Sequence, residues 1–296
     1  MLLSGPFQRF VEASPVSVMM RGIIENLFNP KRLERLFEET AVIQYTRTLP
    51  FATVAEVMGE VVFNVSPSVG ASLQDRAETL SVSRSAFYQK LNRVEPEVAA
   101  VLVRDSAAQL EPVIRKLGIR TPLLPGYRIR TLDGNHFAAT EHRIKETRTE
   151  TAAPLPGQAL AVLDPDLRLV VDIYPCEDGH AQERSLLDQL LPSVRLRDLW
   201  IADRNFCTLG FLFGIADRGG RFVIRHHANM PMEKTGKRKF MGRTETGRVF
   251  EQPVIITDPE TGRHLTLRCV TVELDEVTRD EAGPGWLSYS YVCQKL

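Results

Sequence analysis

The sequence predicts a mixed α/β protein with an all-α N-terminal region. Three observations carry that expectation. Between Pro30 and Leu117 apolar residues recur at three- and four-residue spacing, the period of a helix with one buried face. After Gly118 short β-rich runs take over, in the order β-β-β-α-β-α-β, which combines strands able to pair antiparallel with alternating helices and strands. Two of those runs, Tyr127–Leu132 and Leu199–Ala202, are each followed by an aspartate, Asp133 and Asp203.

The elements follow in order. A short helix is expected within Val16 to Phe28. Pro30 suits a first helical turn, and Leu33, Leu36 and Phe37 share one face. Thr53 with Glu56 three residues on reads as a capping box for the next helix, with Val54, Val57, Met58, Val61 and Val62 as its buried stripe. Ser83 is the expected N-cap of a helix to Arg93 that turns Ala86, Phe87 and Leu91 inward and Arg84, Gln89, Lys90 and Arg93 outward. That basic face suits DNA, as in helix-turn-helix modules; an ordinary solvated face is the alternative. One more helix runs from Glu95 to Leu117, completing an all-α region over 1–120.

Residues 121–225 are expected to form the sheet. The first strand is Tyr127–Leu132, with Gly134 turning the chain away. An exposed polar connection follows to about Pro156. Gln158–Leu163 and Leu167–Tyr174, joined by a short Asp-Pro-Asp turn, read as a hairpin. A helix is expected over Ala181–Leu191, stopped by Pro192, then a strand at Leu199–Ala202, a helix at Thr208–Arg218 stopped by Gly219 and Gly220, and a strand at Arg221–Arg225. Residues 226–280 read as a β-rich insertion. It opens as a loose basic run holding Lys234, Lys237, Arg238, Lys239, Arg243 and Arg248, then forms a hairpin of Pro253–Thr257 and His264–Leu274. Residues 281–296 carry no assignable element.

Lysine plus arginine balance aspartate plus glutamate at 37 each, which argues against a polybasic protein but leaves room for segregated charge. The four cysteines form no C-x-x-C pair and no zinc spacing, which suits a reduced compartment. No apolar run reaches the roughly 18 residues of a membrane span, and the N-terminus lacks the pattern of a secretory leader. No P-loop or dinucleotide fingerprint is present.

The order β-β-β-α-β-α-β, with an aspartate after strands one and four, is a ribonuclease-H-like arrangement. In it strands one and four lie side by side, so Asp133 and Asp203 converge. Paired carboxylates are hard oxygen ligands suited to Mg²⁺ or Mn²⁺. Two such ions can activate an attacking oxygen and stabilise a leaving one in phosphodiester cleavage. Other polar candidates are weaker. His226 and His227 are adjacent and would point to opposite faces. His136 reads as a loop residue, Asp172 and Glu177 as surface groups, and Cys207 as packing. Glu251 and Glu273 lie within the insertion.

The blocks Leu132-Asp-Gly-Asn-His136 and Ile201-Ala-Asp-Arg-Asn-Phe206 resemble the first two acidic motifs of DDE transposases, most closely those of insertion-sequence family four, whose members carry a β-rich insert before the third acid. The order of elements from about 30 to 280 is similar. The resemblance implies Asp133 and Asp203 as metal ligands, Mg²⁺ or Mn²⁺ as cofactor, and cleavage and strand transfer of DNA. It implies terminal inverted repeats as partner, a homodimer on DNA, and a cytoplasmic, nucleoid-associated protein with no membrane. Arg84, Lys90, Arg93, Arg204, Arg225, Lys237, Arg238, Lys239 and Arg243 become candidate DNA contacts. The sequence departs from the family at the third acid: no Tyr-Arg-Glu-Lys-like motif follows the insertion. A frameshift or premature end would account for the atypical tail, and a non-catalytic DNA-binding remnant or regulator is the alternative function.

Overall fold

The computed structural model describes residues 11–42, 49–78, 80, 82–118, 121–136, 157–176, 181–278 and 286–294. The protein is mixed α/β, as the sequence predicts. The described chain divides into two compact units, a helical one up to Leu117 and a sheet one from Gly118 onward. Among the described residues no helix is long and apolar enough to cross a membrane.

The helical unit holds α1 (Pro15–Leu27), α2 (Pro30–Thr40), α3 (Phe51–Val62), α4 (Val69–Asp75), α5 (Arg84–Leu91) and α6 (Pro96–Leu117). Asn29 caps α2 by accepting the Arg32 N–H, and Pro30 occupies the first turn. Leu33, Leu36 and Phe37 are buried, as their spacing requires. Helix α3 departs from expectation. It starts at Phe51, two residues before Thr53, because the Phe51 ring stacks on Phe37 at 4.9 Å. The capping box does not form; Glu34 of α2 instead accepts the Ala52 N–H at 2.6 Å. Val54 and Val57 are buried, whereas Val62 is exposed. Helix α4, capped by Ser68, forms where no helix was expected. Ser83 caps α5 as expected, accepting the Ala86 N–H, and Phe87 is fully buried. Two small cores result, one around Leu33, Phe37, Phe51 and Val98, the other around Val54, Val57 and Phe87.

The second unit is a ten-stranded sheet: β1 (Arg128–His136), β2 (Gln158–Asp164), β3 (Leu169–Cys176), β4 (Asp198–Ala202), β5 (Arg221–Arg225), β6 (Glu233–Lys234), β7 (Lys239–Arg243), β8 (Gly247–Thr257), β9 (His264–Thr278) and β10 (Trp286–Cys293). The strand order is β3-β2-β1-β4-β5-β10-β9-β8-β6, with β7 also on β8. Strands β1 to β3 form an antiparallel meander, and β4 and β5 run parallel to β1 and to each other. Between β3 and β4 the expected single helix is broken. A 3₁₀ turn (Glu183–Leu186), one α turn that we label α7 (Leu187–Leu190) and a second 3₁₀ turn (Leu191–Ser193) replace it. Its leucines still do what the pattern required: Leu186, Leu187 and Leu190 pack with Phe211, Leu212 and Ile215 of α8 (Leu209–Asp217) over one sheet face. Gly219, at φ +72°, ends that segment in the left-handed conformation.

Three strand readings are corrected. β1 runs four residues past Leu132, because its pairing with β2 continues to His136 and Gln158. The basic run from His226 to Arg248 is not a loop throughout, since it supplies β6 and β7 and begins β8. Residues 286–293, where no element was assignable, form β10 between β5 and β9. Val292 explains that placement: it is fully buried, with Ile224 and Cys269 as its neighbours in register.

Candidate functional site

β1 and β4 define the site. Their parallel register ends on the pair Leu132 and Ala202, and both side chains enter the core, at 2% and 6% exposure. Successive strand residues alternate faces. Asp133 and Asp203, the next residue on each chain, therefore lie side by side on the opposite face. Asp203 keeps extended backbone (φ −78°, ψ −179°), so the alternation carries through it although β4 has ended. Asp133 is not at a strand end; it sits where β1 leaves β4 while still paired with β2.

Each carboxylate is exposed and commits one oxygen locally. Asp133 Oδ1 accepts the Gly134 N–H at 3.0 Å. Asp203 Oδ1 accepts the Asn205 N–H at 2.8 Å and caps the 3₁₀ turn Arg204–Phe206. Among the described residues no hydrogen bond to the second oxygen of either is found. The donor set is thus two hard carboxylates on one face, which suits Mg²⁺ or Mn²⁺ in kind but supplies only part of a coordination shell. Among the described residues no group of three or more His, Cys, Asp or Glu side chains is arranged to hold a metal.

The other acids are placed elsewhere. Glu183 lies against the α-carbon of Gly134. Since Gly134 follows Asp133 in β1, it occupies the alternate face. Glu251 pairs with Arg268 at 3.1 Å, and Glu273 with Arg238 and Arg248 at 2.7 and 3.2 Å. Asp172 accepts the Tyr174 hydroxyl. Glu177 and the polar connection over 137–156 lie outside the described residues. His226 Nε2 bonds Met230 O, and His227 Nδ1 accepts the Asn229 N–H. Both histidines thereby close the turn after β5. His136, read as a loop residue, belongs to β1. Cys207 is buried in the core, and burial pushes its thiol pKa up, which keeps it protonated.

The candidate DNA contacts separate into two groups. Arg84, Arg93 and Arg204 are exposed, as are Lys237 and Lys239. Lys90 differs from the reading: it is half-buried, with Nζ 4.6 Å from the Phe37 ring centre, and burial lowers its pKa. Arg225 lies in β5 with its guanidinium 5.9 Å from the Tyr289 ring centre. Arg238 stacks at 3.7 Å on Phe250 and pairs with Glu273, while Arg243 pairs with Asp275 at 2.5 Å. The strip that reads as strongly basic is therefore partly neutralised by acids from β9. Sequence inspection missed this because the partners lie about 30 residues downstream, and only the β7–β8 and β8–β9 pairings together bring them close.

A polar cavity of about 280 Å³, lined in part by Gln158, Glu183, Asn205 and His227, was also not foreseen. Gln158 is fully buried there, its amide N–H donating to Ala181 O. Nothing in a lone strand-end glutamine signals this. A scan against protein-family models and a search among curated proteins both find no match.

Proposed function

We propose that this chain is a DNA-binding protein of the DDE-transposase type, holding two of the three acids of a metal site. The supporting observation is the register of β1 and β4, which ends on Leu132 and Ala202, the residues immediately before Asp133 and Asp203. The reading is also supported by the sheet order over the first five strands, 3-2-1-4-5 with only β2 antiparallel to its neighbours, which is the order a ribonuclease-H-like arrangement would require. Asp133 and Asp203 would hold Mg²⁺ or Mn²⁺, which when bound would activate water and stabilise the leaving oxygen of a phosphodiester. The chain's own contribution is positional. The buried Leu132 and Ala202 anchor the two carboxylates, and the Asn205 N–H orients one of them. Exposed Arg84, Arg93 and Arg204 supply phosphate contacts to duplex DNA at transposon ends, and the protein acts there as a homodimer in the cytoplasm or on the nucleoid.

After the β-rich segment, where the resemblance implies a helix with the third acid, the described chain carries β10. That observation favours a second reading, a non-catalytic occupant of transposon ends. Two carboxylates without the third leave an ion poorly fixed. The expected result is duplex binding without Mg²⁺-dependent strand transfer by the purified chain. Robust cleavage of an end-containing duplex, lost in Asp203→Asn, would overturn the incompleteness. Fluorescence anisotropy tests the DNA contact. Three phosphate contacts predict a fall in affinity of about fortyfold between roughly 50 and 200 mM salt. An affinity indifferent to salt sinks the DNA reading.

A further inference from the structure

The polar cavity of about 280 Å³ in the sheet unit holds a group that the metal reading leaves unused. The cavity lies beyond the carboxyl ends of the parallel strands β1, β4 and β5: Gln158 pairs with His136 at the end of β1, Asn205 follows β4, and His227 follows β5. In open α/β sheets ligands bind in the crevice at those ends. Gln158 is the one fully buried side chain among the described lining residues. Its amide N–H donates to Ala181 O. A carbonyl only accepts, so this contact fixes the orientation of the amide and turns Oε1 away from it. Oε1 is buried and has no partner. A buried acceptor without a donor is costly, and here the donor has to come from outside the chain.

The wall changes character toward the mouth. Arg184 is exposed; its Nε donates to Gln182 Oε1 at 2.5 Å, and among the described residues no acid pairs with its guanidinium. His227 Nδ1 accepts the Asn229 N–H, which leaves the ring proton on Nε2 as a donor. The Glu183 carboxylate stands at the Gln158 end. It lies against Gly134, whose partner in β2, Leu160, is two residues from Gln158 on the same face. The cavity thus offers an acceptor and a carboxylate at its buried end, and a cation and a neutral donor nearer solvent.

We infer that this cavity binds a small zwitterion of the α-amino-acid class, its ammonium group donating to Gln158 Oε1 beside Glu183 and its carboxylate received by Arg184 and the His227 Nε2–H. The inference does not depend on the DNA reading. A water molecule would satisfy Gln158 and nothing else. A simple anion would meet Arg184 but leave the buried acceptor unmet, and an amine would do the reverse. A hydroxy acid matches both ends but forgoes the attraction of Glu183 for a cation.

Isothermal titration of the full chain with each proteinogenic α-amino acid, with the corresponding decarboxylated amine and with inorganic phosphate tests this. At least one amino acid is expected to bind, and its amine and phosphate to bind about tenfold or more weakly. Arg184 is exposed, so Arg184→Gln is expected to leave the unfolding temperature of the free protein unchanged while weakening amino-acid binding about tenfold or more, the loss of one charge-assisted hydrogen bond. Gln158→Met is expected to abolish binding. Should that variant not fold, the Arg184 variant and the amine comparison still decide. No binding by any amino acid overturns the inference and leaves the cavity to water. So does binding that Arg184→Gln does not weaken, or equal binding of the amine or of phosphate.

Discussion

Gly247 and Gly134 show how one substitution can have two outcomes. A Cβ at 247 would overlap the backbone carbonyl of Glu273 across the β8–β9 pair, and a strand backbone cannot step aside without loosening its ladder. At 134 the overlap is with the Glu183 carboxylate, the far end of a flexible side chain. Gly247→Ala is therefore expected to destabilise by about 2 kcal/mol, and Gly134→Ala by less than about 1 kcal/mol. Denaturant midpoints of the two variants check this, and equal losses would refute the distinction. The alternation at Asp133 and Asp203 was legible in the sequence as a local signal, whereas the strand stop expected at Asp133 was not there, because pairing with β2 carries β1 on to His136. The half-burial of Lys90 was not legible, because it depends on where α2 places Phe37.

Among elements, β1 is tied to its neighbours by buried ion pairs that its sequence does not advertise. Arg130 pairs with Asp164 of β2, and Arg128 with Asp198 of β4 at 2.6 Å. Asp198 also accepts the Arg195 N–H at 2.8 Å. Asp198→Ala leaves both donors unmet and is expected to cost about 3 kcal/mol, whereas Asp198→Asn retains an acceptor and costs less. A loss under about 0.5 kcal/mol for the alanine variant, read from urea unfolding, would count against the strut. In the helical unit, burial alone would raise the Glu60 pKa, but hydrogen bonds from Arg76 and Ser72 outweigh it and hold the carboxyl below its ordinary value of 4.5. A depressed folded pKa stabilises fully above the unfolded value and loses that contribution as pH falls through the folded one. Glu60→Gln is thus expected to lose about 1 kcal/mol at neutral pH and to show a shallower decline in stability below 4.5. Parallel pH titrations of unfolding would reject this if both proteins declined alike. Helix faces and the β2–β3 hairpin were readable from period alone. The start of α3 and the fragmentation of the 183–193 segment were not. Phe51 stacking decides the first, and the second keeps Leu186, Leu187 and Leu190 buried with or without a continuous helix, so the pattern cannot distinguish them.

For the whole molecule, the class was legible because fold class depends on the succession of periods, which survives errors at each boundary. The extent of the sheet was not. Gly236, Gly242 and Gly247 made the 226–248 run look loose, yet Gly242 sits at the irregularity in the β7–β8 pairing and Gly247 in a close β8–β9 crossing. The place of β10 has a further consequence, one of timing. β5 and β9 both precede it in the chain, yet neither has its full complement of partners until residues 286–293 arrive between them. On a ribosome adding roughly 5–20 residues per second, the nascent sheet waits about one to three seconds after β9 with two unpaired strand edges. Such edges template unwanted pairing between chains. Protein ending at residue 280 is expected to aggregate during expression, and chaperone capture of stalled nascent chains should peak between the emergence of β9 and that of β10. A chain stopped at 280 that stays monomeric would show that the two halves of the sheet protect themselves while they wait.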